Sequence, residues 1–313
     1  MEMFRVHAPG PYTTIQDLGR FGFQHMGVPP SGALDPMAHT AANLLVGNAP
    51  DCATLEIAFL GPLLEALGTA DIALTGAQMA LRVNDRSAPQ WASVRVQKGD
   101  RIQVGQAERG CRAYLAVSGG FDVTPEMGSR STLVSAGLGG LEGRALKAGD
   151  LLPRGPGRLL VRPRRLPWVP LYDALIHLRA VPGPQDDCFT EGIETFFSSL
   201  YKVSDKANRM GYRLTGPAVA RDGGAPQSII SEPSIPGNVQ VPPDGQPIIL
   251  MVEQTIGGYT KIATVVTADL FKIAQVGPGD QICFHPVTLE RAHALYREWA
   301  AYLDNMRDVL GEL

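Results

Sequence analysis

The chain has 313 residues, 44% of them in the apolar set AVILMFWYC and 19% charged, which is enough apolar material for two ordinary domains and excludes a disordered chain. Lysine and arginine number 28 against 31 acidic residues, a formal charge of -3 that leaves no chain-wide electrostatic footprint for nucleic acid or an anionic membrane. With 35 glycines and 25 prolines, many short strands and tight turns are expected rather than a helical bundle.

The opening MEMFRVHAPG lacks an apolar signal core, and nowhere is there an uncharged apolar run long enough for a transmembrane helix. Cys52, Cys111, Cys188 and Cys283 are far apart, without CxxC or His/Cys metal spacing, and read as reduced thiols of a cytoplasmic protein. The histidines at 7, 25, 39, 177, 285 and 293 show no metal spacing either, so no metal site is expected.

In the first half, residues 70–74, 79–83, 93–96, 101–104 and 112–117 read as strands, separated by turn signals at Asn84-Asp85, Lys98-Gly99-Asp100 and Ser118-Gly119-Gly120. One helix interrupts them. Asp35 caps it, Pro36 takes its first position, Gly47 and Asn48 end it, and Met37, Ala41, Leu44 and Leu45 share a face. The basic, proline-rich segment 154–170 reads as a solvated linker, placing a boundary between domains 1–160 and 161–313. Beyond it, Phe189, Ile193, Phe196, Phe197 and Leu200 lie at helical spacing over 187–200, and strands are expected at 228–230, 237–241, 247–252, 263–266 and 280–284. Gly99-Asp100, Gly149-Asp150 and Gly279-Asp280 echo one another, as in a duplicated β domain. A closing helix after Thr288 carries the stripe Leu289, Ala292, Tyr296, Trp299, Leu303, Met306 and Leu310.

Generic chemistry motifs are absent. There is no GxxxxGK[ST] phosphate loop, no GxSxG elbow and no HExxH, and GLGGLEG (137–143) is not a dinucleotide fingerprint. Without a Met-Lys-Met sequence the chain carries no biotinyl lysine of its own. Polar residues instead gather in glycine-rich loops: TTIQDLGRFG (13–22), PPSGALDP (29–36), DKANRMGYRL (205–214) and EQTIGGYTKIA (253–263). Arg20, Arg209 and Arg213 can each fork onto a carboxylate or phosphate. Asp17, Asp35, Glu56 and Glu232 are candidates for acid–base work or for pairing those arginines. Ser118, after a strand in AVSGG, is placed where a nucleophile can be displayed, and Gly257-Gly258 reads as an anion nest.

The segments GPYTTIQDLGRFGFQHMGVPPSGALDPMAHTAANLLVGN (10–48), LEIAFLGP (55–62), YLAVSGGFD (114–122), GLGGLEGRAL (137–146), NRMGYRLTGP (208–217) and QTIGGYTKIATVVTADL (254–270), in this order, resemble the 5-oxoprolinase C-subunit family. That family is also called allophanate hydrolase subunit 2, biotin-dependent carboxyltransferase-like or KipA-type. The resemblance implies a mainly β fold of two tandem cyclophilin-like β-barrel domains. It also implies a protein that works with a companion cyclophilin-like B-subunit, joined in some relatives by a LamB/YcsF-like A-subunit, to open 5-oxo-L-proline to L-glutamate with ATP. The implied site has Asp17 or Glu232 as base and Lys261 as a further catalytic group. Its substrate contacts are Arg20, Ser31, Ser118, Arg130, Arg209, Arg213, Gln254, Thr255, Gly258 and Tyr259, with ATP held together with the partner. Two other readings follow from the same family: a carboxyltransferase subunit using biotin carried on another protein, and a non-enzymatic regulator that binds a kinase-inhibitor-like partner.

Overall fold

The computed structural model describes residues 2–312, which divide into two compact units. The first comprises the chain up to Arg20, Ser31–Tyr172 and the residues from Leu303 onward; the second comprises Phe21–Pro30 and Asp173–Tyr302. Among the described residues no helix is long and apolar enough to cross a membrane.

The first unit contains β1 (Glu2–Ala8), β2 (Tyr12–Gln16), α1 (Pro36–Leu45), β3 (Thr54–Ala58), β4 (Leu63–Ala66), β5 (Ala70–Val83), β6 (Arg86–Ala88), β7 (Ser93–Val96), β8 (Arg101–Val117), β9 (Leu151–Pro153) and β10 (Arg164–Arg165). An antiparallel sheet of nine strands runs β2-β3-β8-β4-β1-β9, with β5 pairing β6, β7 and β8. Its inner face buries Phe4, Ile15, Leu55, Ile57, Leu74, Leu115 and Val117 in one core. The helix forms as expected. The Asp35 carboxylate accepts from Ala38 N at 2.9 Å, Pro36 opens the first turn, and every residue from Met37 to Leu45 is buried. Its far end is held by Arg164, which donates to the Leu44 carbonyl at 3.1 Å, a cation placed at the negative end of the helix.

Two differences from expectation have one cause. The strands expected at 70–74 and 79–83 are a single strand, as are those at 101–104 and 112–117; the register shifts between Gly76 and Leu81 instead of breaking. Gly76 has φ +86°, and a Cβ there would lie 2.4 Å from the Arg112 carbonyl, so the glycine makes a bulge rather than a turn. The segment 154–170 is also not a solvated linker. Arg154 is buried and donates to the carbonyls of Thr69 and Gly157, each at 2.9 Å, and Leu166 N donates to Trp91 O at 3.0 Å.

The second unit contains β11 (Leu175–Pro182), α2 (Gly192–Ser198), β12 (Tyr201–Val203), β13 (Gly211–Thr215), β14 (Glu232–Pro233), β15 (Asn238–Gln240), β16 (Ile248–Leu250), β17 (Ile256–Gly257), β18 (Lys261–Val265), α3 (Leu270–Ile273), β19 (Gln281–Pro286) and most of α4 (Leu289–Asp304). A closing strand, β20 (Gly311–Glu312), pairs with β10 in the first unit. Strands β11-β18-β15-β16-β13-β12-β19 form a closed barrel, antiparallel except where β11 meets β19. Alternate residues fill it: Ile176, Leu178, Val239, Ile249, Ile262, Ile282 and Phe284 are buried, and Phe196 of α2 stacks on Phe284 with ring centroids 4.3 Å apart. The protein is therefore mainly β, with two cyclophilin-like domains and a long C-terminal helix; the strand ladder closes in the second domain.

The expected helix over 187–200 shrinks to α2. Asp222 accepts from Thr190 N at 3.0 Å, and Gly192 lies so close to Ala220 that a Cβ would meet its carbonyl at 2.1 Å, which delays the helix start. No strand forms at 228–230, where Ile230 is 93% exposed. In the C-terminal helix Leu295, absent from the expected stripe, is the buried residue, while Leu289 and Tyr296 stay exposed. The Gly-Asp echo is structural. In each copy the glycine N–H and the aspartate carbonyl bond one strand residue (Ala66, Val6 and Val203), and the carboxylate accepts from the N–H three residues before it.

Candidate functional site

The residues expected to form one site fall into two groups. In the first domain Asp17 follows β2 and organises the 129–131 loop. Its carboxylate accepts from Ser129 Oγ at 2.6 Å, Ser131 Oγ at 2.5 Å, Gly19 N at 2.8 Å and Arg130 N at 2.5 Å. Burial alone would raise its pKa, but these four donors outweigh burial and hold it below the ordinary value. A carboxylate so committed is a weak proton acceptor, which argues against Asp17 as the base. Arg20 is buried and donates to Ser131 O, and Arg130 reaches Val123 O at 2.9 Å and Asp122 at 3.1 Å, so both arginines brace the same loop. Ser118 Oγ accepts from Asp71 N at 3.2 Å and the residue is 1% exposed, so it is a turn serine and not a displayed nucleophile. Ser31 has φ +55°, and its buried Oγ has no partner among the described residues. Its loop is tied to Asp17 through Ala33 N, which donates to Asp17 O at 2.8 Å. Of the further acid–base candidates, Asp35 caps α1, and Glu56 accepts from Tyr114 Oη at 2.7 Å and Leu34 N at 2.9 Å.

Part of the second group lines a cleft of about 940 Å³ in the second domain, walled by β13, β15 and β16 and the loops beside them. Arg213, Gln254 and Tyr259 line it, together with Lys206, Gln240 and Gln246. Gln240 is 4% exposed, yet its Nε2 has no partner among the described residues. The hydroxyls of Ser234 and Thr260, both buried nearby in sequence or register, are likewise unpartnered. Of the three only Gln240 lines the cleft, and a buried polar atom left without a partner in a cleft wall is poised for a ligand, since it otherwise costs about 1–3 kcal/mol.

Gly257 explains how Gln240 reaches this position. A Cβ on Gly257 would lie 2.1 Å from Gln240 Nε2 and 3.2 Å from Ser234 Oγ, so the glycine makes room for the carboxamide. Neither Gly257 nor Gly258 has positive φ, and Gly258 O accepts from Ile229 N at 2.8 Å; these glycines serve close packing rather than an anion nest. Thr255 O accepts from Ser234 N at 2.9 Å, and Gln254 Nε2 donates to Ile256 O at 3.0 Å.

Beside Gly257, its strand partner Glu232 accepts from Lys261 Nζ at 2.5 Å and from Gln185 Nε2 at 3.2 Å, both through Oε1. The Lys261 ammonium holds the Glu232 carboxyl below its ordinary pKa. Lys261 is buried and is the register partner of Gln240, while the Glu232 side chain is 40% exposed. The structure therefore brings Arg213, Gln254, Tyr259, Glu232 and Lys261 into one domain around Gln240. Arg209 is placed differently from Arg213. It is buried, with Nε 2.5 Å from Glu253 Oε1, and does not line the cleft.

Sequence reasoning passed over Gln240, Ser234, Thr260 and Lys206. A usable signal for Gln240 was a carboxamide between two valines in an apolar strand, since buried amides are rare unless bonded.

The family described as carboxyltransferase domain, subdomain A and B, matches residues 26–286. The chain is 39% identical over 313 residues to the 5-oxoprolinase C-subunit of Escherichia coli, with 97% of each chain covered. It is 36% identical over 301 residues to the protein of the same name from Haemophilus influenzae, with 96% of each covered. Among solved structures, Kluyveromyces lactis urea amidolyase matches with a TM-score of 0.90 and 34% identity, covering 97% of this chain but only 20% of that one. In sequence and in fold, over nearly all its length, the chain belongs to the carboxyltransferase subdomain A and B family.

Proposed function

We propose that this chain is the C-subunit of an ATP-dependent 5-oxoprolinase, opening 5-oxo-L-proline to L-glutamate together with a companion cyclophilin-like B-subunit plus a LamB/YcsF-like A-subunit. One observation carries the reading: the chain and its Escherichia coli relative cover 97% of each other, whereas it spans about a fifth of urea amidolyase. A lactam is resonance-stabilised and a poor electrophile, and ATP supplies the activation of its oxygen. The cleft's donors, two cations and several carboxamides, suit a small carboxylate and an amide. They include no glycine-rich helix start for a nucleotide, so ATP is assigned to a site with the companion protein.

In this reading Arg213 and Lys206 hold the substrate carboxylate, and Gln240 Nε2 and the Tyr259 hydroxyl orient the amide. Glu232 bonds Lys261 and Gln185 through Oε1 alone and its side chain is 40% exposed, so, unlike the fully committed Asp17 carboxylate, it offers Oε2 to take a proton from the attacking water. Asp17, Arg20, Arg130 and Arg209 fix the loops on which the two domains depend.

The test is reconstitution with the companion proteins and measurement of ATP-dependent glutamate release from 5-oxoproline. Release that needs this chain, and a raised KM in Arg213→Ala, support the assignment. Undiminished release without the chain overturns it. The carboxyltransferase reading draws on the similarity to urea amidolyase and predicts instead carboxyl transfer from carboxybiotin supplied on a separate carrier protein.

A further inference from the structure

The seam that closes the second barrel carries a cluster unrelated to the cleft. Along β11 and β19 the residues Ile176, Leu178, Ile282 and Phe284 are buried inside, so the two-residue period of a strand puts His177, Cys283 and His285 on the outer face. The parallel register sets His177 opposite Cys283. His177 Nδ1 lies 2.8 Å from His285 Nε2 and 3.1 Å from Cys283 Sγ, and Cys283 Sγ lies 3.6 Å from His285 Nε2. The ring centroids are 5.1 Å apart with 12° between the planes, so the imidazoles meet edge to edge through these two nitrogens.

Three ligating atoms thus lie within 3.6 Å of one another. Two protons can join the three atoms in a hydrogen-bonded chain, and a single cation can take their place and be held by all three at once. Tetrahedral zinc, with bonds of about 2.0–2.1 Å to nitrogen and about 2.3 Å to sulfur, holds two nitrogens about 3.3 Å apart and a nitrogen and sulfur about 3.6 Å apart. The observed spacings need open by only about half an ångström to admit it. Lys272, a cation close by, is paired to the buried Asp269 at 2.8 Å and reaches the His177 backbone carbonyl rather than the ring.

We propose that His177, Cys283 and His285 bind a zinc-class divalent cation, with water as the fourth ligand, forming a clasp across the barrel seam. Binding replaces the thiol proton of Cys283 by the metal and releases that proton to solvent, with no change of oxidation state. The clasp does not depend on which reaction the cleft serves.

Cobalt(II) is the probe. The full chain, stripped with chelator and kept reduced, is titrated with Co2+ and followed by absorption. One equivalent should produce a thiolate-to-cobalt charge-transfer band and the strong visible bands of four-coordinate cobalt, both removed by one equivalent of Zn2+. Cys283→Ser should lose the charge-transfer band, and His285→Ala should weaken binding at least about tenfold, in line with the loss of a ligand. Zn2+ should raise the Tm of the parent chain but not of His177→Ala. Absence of the charge-transfer band in the parent, or its persistence in Cys283→Ser, overturns the proposal. His177 and His285 are both exposed, so their variants report on binding without a folding defect.

Discussion

Arg209 Nε donates to Glu253 Oε1 at 2.5 Å, with the two side chains 5% and 8% exposed. Removing one partner of such a pair strands the other charge away from water, at about 3–5 kcal/mol. Arg209→Ala should therefore lower Tm markedly, and Arg209→Ala/Glu253→Ala should recover part of the loss. Thermal unfolding of the three variants decides it; an unchanged Tm in the single variant would return Arg209 to the substrate clamp.

Gln240 should behave in the opposite way. Its Nε2 bonds to nothing among the described residues, so Gln240→Leu removes a buried orphan donor and should leave Tm unchanged or slightly higher. If the amide binds ligand in the cleft, glutamate release by the reconstituted complex should fall about 2–100-fold, the range expected for a hydrogen bond to a neutral or charged partner. Paired melting and turnover measurements separate the two effects.

Gly257→Ala probes the same contact from the other side. The new methyl would press on the end of a flexible carboxamide, 2.1 Å from its starting position, and not on backbone. The variant should fold with Tm near that of the parent while Gln240 swings away, raising KM more than it lowers kcat. Equal losses in both parameters would show that Gly257 serves something other than placing Gln240.

His39 supplies a pH dependence. Burial lowers its pKa to about 4 from 6.5, and Asn43 Nδ2 donates to its Nε2 at 3.3 Å while Nδ1 faces Thr54 Oγ1 at 3.0 Å, so the folded protein keeps the ring neutral. Below pH 6.5 the unfolded chain takes up a proton that the folded chain refuses. The stability His39 contributes is thus full above that pH and lost as pH falls toward 4, by about 3 kcal/mol in all. Asp17, whose carboxyl is also depressed, withdraws its contribution only at lower pH, below the usual carboxylate value. Denaturant midpoints measured between pH 7 and 4 should decline, and should flatten in His39→Gln over that interval.

Of the barrel strands β15, β16, β18 and β19 were legible from their apolar runs, while β11, β12 and β13 were not expected, and α1 was legible because Asp35 and Pro36 mark its start. The merging of strands at Gly76 was not, because a bulge glycine and a turn glycine look alike until the partner strand is known. Site residues were harder for a related reason. Arg209 and Arg213 stand four apart in one motif, yet only the position of Glu253 decides that the first is sequestered and the second faces the cleft. Gln240 carries no charge to attract notice. His177 and Cys283, 106 residues apart, meet only through the parallel pairing of β11 with β19.

That pairing bears on how the protein is made. β11 leaves the ribosome about a hundred residues before β19, and β10 still longer before β20. The early strand must wait with an edge unoccupied, open to other nascent chains, until β19 has been synthesised. Translation products that stop before residue 281 should thus be the ones captured by chaperones or lost to aggregation, while chains that include β19 escape.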